Sequence, residues 1–123
     1  MENKINYYDF IKMKGRPVSE INPGSSEIAL LFEDALTALE ILKNNCIEIL
    51  GGDILSENNE KLIYAYQLWG DEYQYLNWYC DQEENESKEK YLERGYNIAK
   101  ENIFSANKIA EKIKKKCYIV FVI

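Results

Sequence analysis

The chain has 123 residues, 46% hydrophobic and 29% charged, which suits one globular domain with its own core rather than a disordered segment. Its 21 acidic and 15 basic residues leave a formal net charge of −6; a dedicated nucleic-acid binder usually carries a basic face, so that class is disfavoured. Histidine is absent, which removes Ser-His-Asp and Cys-His nucleophiles, His-ligated zinc and the usual proton shuttle.

No apolar run approaches the roughly 18 residues a membrane helix needs, and Met1-Glu2-Asn3-Lys4-Ile5 lacks the apolar centre of a signal peptide. Cys46, Cys80 and Cys117 are odd in number and far apart, so free thiols and a cytoplasmic location are expected. Charge is unevenly placed. Residues 44–87 hold 10 acids and one base, Lys61, whereas residues 88–123 hold 4 acids and 9 bases. Such asymmetry bears on partners rather than on fold.

Residues 1–24 read as an irregular arm, with turn chemistry at Gly15-Arg16-Pro17 and Asn22-Pro23-Gly24. Ser25 or Ser26 then caps an expected helix reaching Asn44, its buried face built from Ile28, Phe32, Ala35, Leu36, Leu39 and Leu42. Cys46–Leu50 reads as a short strand ended by a tight turn at Gly51-Gly52-Asp53, where a glycine takes positive φ and Asp53 bonds its own backbone. Ser56–Glu60 is an expected exposed loop. Leu62–Trp69 and Tyr73–Cys80 read as two strands of a hairpin turning at Gly70-Asp71-Glu72.

Asp81–Glu86 forms an acidic loop, and Ser87 is an N-cap for a helix running to about Lys116. At 1.5 Å per residue that helix would be about 45 Å long, more than the ~35 Å width of a domain this size, so a break near Ser105 or Asn107 is expected. Cys117–Ile123 is apolar on both faces, as a central strand covered on both sides would be. The expected architecture is a single α+β domain over 1–123, a small, mostly antiparallel sheet packed with helices in the order α-β-β-β-α-β.

Little of the chemistry points to catalysis. Gly51-Gly52-Asp53 resembles the signature loop of a diguanylate cyclase, but that family continues with Glu-Phe where Ile54-Leu55 stand here. The acids Asp71, Glu72, Asp81, Glu83, Glu84 and Glu86 fall in expected loops. They match neither an acid/base pair on rigid elements nor a calcium-binding loop, and no metal or cofactor is expected. Cys80 has no histidine to activate it and lies among acids that raise a thiol pKa, so it reads as structural.

The aromatic residues say more. Tyr64, Tyr66, Trp69, Tyr73, Tyr75, Trp78 and Tyr79 are seven of the chain's 16 aromatics within 16 residues. A two-stranded ribbon cannot hide seven large rings on one face. Tyrosine and tryptophan beside acids match the make-up of interface hot spots, whereas stacking of single-stranded nucleic acid would need a basic groove. A protein partner, basic in character, is the expectation.

Three stretches together resemble a known family: Ser26-Glu27-Ile28-Ala29-Leu30 with Ala35-Leu36 and Leu39-Glu40-Ile41-Leu42, then Ile47-Glu48-Ile49-Leu50-Gly51-Gly52-Asp53, then Leu76-Asn77-Trp78-Tyr79-Cys80-Asp81. Their order and spacing resemble the immunity-protein family numbered forty of bacterial polymorphic toxin systems, over about residues 19–105. The family often has a polar residue where this chain has Leu76, and the basic tail from Lys108 lies outside the resemblance. The resemblance implies an inhibitor rather than an enzyme, one that neutralises a cognate toxin domain. Composition then assigns Asp53, Asp71, Glu72, Glu83 and Glu84 to meet basic groups on the toxin, and Tyr73, Tyr75, Trp78 and Tyr79 to anchor it. A small carboxylate enzyme and a DNA-mimic inhibitor are the alternatives. Neither nucleic acid nor a membrane is an expected partner; an exposed strand edge leaves a homodimer open.

Overall fold

The computed structural model describes residues 6–123. In chain order they form α1 (Tyr7–Lys14), β1 (Arg16–Pro17), β2 (Ile28–Leu31), α2 (Phe32–Asn44), β3 (Gly51–Asn58), β4 (Lys61–Tyr64), α3 (Ala65–Trp69), β5 (Trp78–Tyr79), α4 (Lys88–Ile113) and β6 (Tyr118–Val122). Short 3-10 turns occupy Val18–Glu20 and Asp71–Leu76. Every ladder is antiparallel and the sheet runs β1-β2-β6-β3-β4, with β5 also paired to β3. The architecture is therefore α+β. No helix among the described residues is long and apolar enough to cross a membrane.

The closing apolar run takes the central position its two-faced hydrophobicity requires: β6 lies between β2 and β3. Leu30, Ile54, Ile119 and Phe121 turn to one face and meet α1, α2 and α4. Buried alanines 35, 38, 99, 106 and 110 let those helices approach closely. The alternate residues Ala29, Leu55, Tyr118 and Val120 turn to the opposite face, where Leu62, Val18 and Ile21 cover part of them.

Several local expectations are corrected. The Tyr7–Lys14 part of the arm is helical, capped by the Asn6 side chain, which accepts from the Tyr8 amide at 2.7 Å; residues 1–5 of the arm lie outside the described residues. Ile28–Leu31 is strand, and α2 starts only at Phe32 without a serine cap. The final helix is unbroken through Ser105 and Asn107, where the Asn107 amide donates to Glu111 at 3.2 Å; nothing there breaks the ladder as a proline would. It does start at the expected cap, Ser87, whose hydroxyl accepts from the Lys90 amide at 3.2 Å.

The hairpin also lies elsewhere. Leu62–Tyr64 is strand, but Ala65–Trp69 is helix and Asp71–Leu76 a 3-10 stretch. The true hairpin joins β3 to β4 through Asn59-Glu60, both at positive φ, as a two-residue primed turn requires. The Arg16 guanidinium holds that turn by donating to the Glu60 carbonyl at 2.8 Å. The element order is accordingly richer than α-β-β-β-α-β.

Candidate functional site

Gly51 and Gly52 do not turn the chain. They open β3 and pair with Tyr79 and Trp78 across the ladder, and neither takes positive φ. Their reason is packing: a Cβ on Gly52 would overlap the Trp78 indole, and one on Gly51 would overlap the Trp78 carbonyl. The Trp78 ring packs against the helix-side core. Tyr79, opposite Gly51, stands on the other face and is 82% exposed.

That other face carries the distinctive electrostatics. Asp53 follows Gly51 by two residues, so its side chain shares the Tyr79 face, diagonal to it. Tyr64, paired opposite Leu55, is diagonal to Asp53 on its far side. The Tyr64 and Tyr66 rings lie 6.0 Å apart. Burial pushes the half-buried Asp53 carboxyl up. Burial and then the Asp53 charge push up Glu27, just before β2. Burial, followed by Asp53 and Glu27, pushes up the Tyr64 phenol. Among the described residues no cation pairs with Asp53 or Glu27.

The opposite end of the same face is closed. Arg16 binds Glu57 and Glu20, donates to the Tyr118 hydroxyl at 3.2 Å and lies over the Tyr118 ring, 5.5 Å from its centroid. Lys116 adds a 3.1 Å pair to Glu57, and these partners hold the Glu57 carboxyl below its usual range.

The remaining acids divide by what they touch. Asp71, Glu72 and Tyr75 are exposed on the 3-10 stretch, with Tyr75 at 66%, while Tyr73 packs edge-on against Trp69 and the core. In the acidic loop, Arg94 grips Glu86 through both carboxylate oxygens at 2.8 Å and the Asp81 carbonyl at 2.6 Å. That bidentate pair takes the Glu86 carboxyl down to about 2. Glu86 in turn accepts the Glu83 amide at 2.9 Å, while the Glu83 and Glu84 side chains stay exposed. Cys80 is buried beneath this knot, 3.3 Å from the guanidinium, and burial raises its thiol.

Of the residues assigned from composition, Asp53 and Tyr79 come together on the sheet face. Asp71, Glu72 and Tyr75 form an exposed edge, and Glu83 and Glu84 crown a loop. Trp78 and Tyr73 are core-packed. Glu27, Tyr64 and Tyr66 were not assigned. Once Gly51–Asn58 is read as a strand, alternation finds Asp53 and, through pairing, Tyr64; Glu27 enters only through the long-range pairing of β2 with β6.

A family model described as Immunity protein 40 matches residues 17–123, from β1 through β6 and including the basic tail. No curated protein and no solved structure matches the chain.

Proposed function

From the premise that the chain belongs to the immunity protein 40 family, we propose that it protects the producing cell by binding and neutralising a cognate toxin domain in the cytoplasm, without catalytic turnover. The observation that carries the reading is a half-buried carboxylate, Asp53, with no described cation, on an open sheet face beside exposed Tyr79. A protein seldom retains charge in such surroundings for stability, because desolvation disfavours the ionised form. A partner supplying the missing cation turns that penalty into specific recognition. The exposed acids Asp71, Glu72, Glu83 and Glu84 lie on segments held against the helix side, and their negative charge speeds encounter with a basic toxin. Tyr75 and Tyr79 are the aromatic anchors.

Co-expression with a candidate toxin domain, sought among the genes adjoining this one, tests the proposal. The wild-type chain rescues growth. Asp71→Lys with Glu72→Lys folds normally, because both positions are exposed, and loses protection, because it reverses the charge offered to a basic toxin. Unchanged protection by that variant would remove the 71–76 edge from the interface, and failure of the wild type to protect would remove the function.

A further inference from the structure

Three local choices near the junction of β2 and α2 run against the stability of the chain on its own, and they meet in one place. Leucine stands at the N-cap of α2, where it makes no side-chain capping bond, although Ser, Thr, Asp or Asn there would satisfy an orphan amide. That Leu31 is 46% exposed, and Phe104 on α4 is 47% exposed. The Phe104 ring packs edge-on against Phe32, with centroids 5.3 Å apart. Glu111 lies two residues before the end of α4, where the helix dipole disfavours an acid.

A cleft of about 440 Å³ joins these features. Leu31, Phe32, Glu33, Asp34, Glu111 and the buried free thiol of Cys117 line it, together with Asn107, whose amide donates to Glu111 at 3.2 Å. Three carboxylates from two helices thus share one space. Among the described residues no cation lines that space, and none of the three carboxylates is in an ion pair, even though Lys112 follows Glu111 directly. The dipole of α2 accounts for Glu33 and Asp34 in its first turn. It does not account for Glu111, nor for apolar side chains left in water beside the acids. Local rules broken together at one site mark function rather than stability.

We propose that this cleft is a second protein-docking surface, which takes a basic segment of a partner protein: a lysine or arginine whose alkyl stem lies on Leu31 and Phe32 and whose charge meets Glu33, Asp34 and Glu111, with a neighbouring apolar residue covering Phe104. The acids select positive charge. The apolar lining, to which a buried thiol contributes as a small hydrophobe, selects a long aliphatic stem. The surface goes beyond the toxin-binding reading and does not rest on it. Leu31 pairs with Tyr118 at the start of β6, whereas Gly51, the partner of Tyr79, pairs with Val122 at its end.

The test titrates the isotope-labelled full chain with an alternating leucine–lysine hexapeptide, followed residue by residue by NMR. Alternating serine–lysine and leucine–glutamate hexapeptides are the controls. The leucine–lysine peptide should move the Leu31 methyl signals, the Phe32 and Phe104 ring signals and the Glu33 and Glu111 amides. The serine–lysine peptide should bind about tenfold more weakly, as loss of an apolar anchor does, and the leucine–glutamate peptide should leave these signals unmoved. Glu33→Gln with Glu111→Gln, both exposed, retains the shape of the cleft and should weaken leucine–lysine binding about tenfold. Phe104→Ser should reduce the leucine–lysine peptide to the affinity of the serine–lysine one. Equal binding of the two lysine peptides to the wild type, a double variant that binds as the wild type does, shifts confined to other residues, or no shift at all would overturn the site. The same shifts on concentrating the chain alone would give the cleft to a second copy and overturn the partner.

Discussion

The Asn77 side-chain oxygen accepts the Ile54 backbone amide at 2.8 Å. Along its outer edge β3 is paired by β5 at Gly51-Gly52 and by β4 from Leu55 onward, and Ile54 falls in the gap. Asn77 fills it with a side chain where a strand would have supplied a carbonyl. Asn77, Trp78 and Tyr79 thus dock against Gly51 to Ile54 as one unit: a plug, a half-buried indole over a glycine, and an exposed phenol. Asn77→Ala leaves a part-buried amide without its acceptor, so a loss of about 1–3 kcal/mol is expected in urea unfolding.

Gly52→Ala tests the indole contact. The added methyl meets the Trp78 ring, not the far end of a flexible chain, so overpacking of about 1–3 kcal/mol is expected. The cost should shrink when Trp78 is shortened to leucine in the same chain, a non-additivity that a double-mutant cycle reads directly.

Asp53→Asn is expected to stabilise the protein at neutral pH. Burial raises the folded-state pKa of Asp53 above its unfolded value. The folded state therefore holds its proton longer, and the ionised group costs stability as pH rises through that interval. The advantage of the variant should be absent below the unfolded aspartate pKa of about 4, grow with pH, and level off once Asp53 is ionised in both states. Urea midpoints from pH 3 to 8 measure this; a variant less stable than wild type at pH 7 would contradict it.

Arg94→Ala has the opposite signature. The Glu86 carboxyl is held at about 2 by Arg94. Its stabilisation is therefore complete above the ordinary glutamate pKa and lost as pH falls toward 2. Removing Arg94 should flatten the acid limb of the stability profile and free the Asp81–Glu86 loop, visible as faster amide exchange at Glu83, whose N–H is held by Glu86.

Tyr79→Ala should separate binding from folding. At 82% exposure the ring contributes little to the core, so stability should stay within about 0.5 kcal/mol of wild type. Toxin affinity should fall by tenfold or more, as for an interface anchor.

What the sequence disclosed followed the reach of each signal. Cys117–Ile123 was legible as the central strand because apolarity on both faces has one common cause. Ser87 was legible as a cap because capping is local. Gly51-Gly52 misled because paired glycines signal turns, and only the distant Trp78 explains why β3 needs them. Ile28–Leu31 was absorbed into the following helix because its apolar spacing continues that of α2; the pairing of Leu30 and Leu31 with Ile119 and Tyr118 that makes it a strand is nearly 90 residues away in sequence. The acid-rich, aromatic middle was visible as composition. Its division into a core-packed Trp78, a clamped Glu86 and an uncompensated Asp53 required the sheet.

Calorimetric titration of the purified chain into a purified candidate toxin domain, sought among the genes adjoining its own, tests the central claim most directly. The account predicts saturable binding with loss of toxin activity at the same stoichiometry, weakened at least tenfold by Asp53→Lys. Full toxin activity in the presence of excess chain, with no heat of binding, would contradict it.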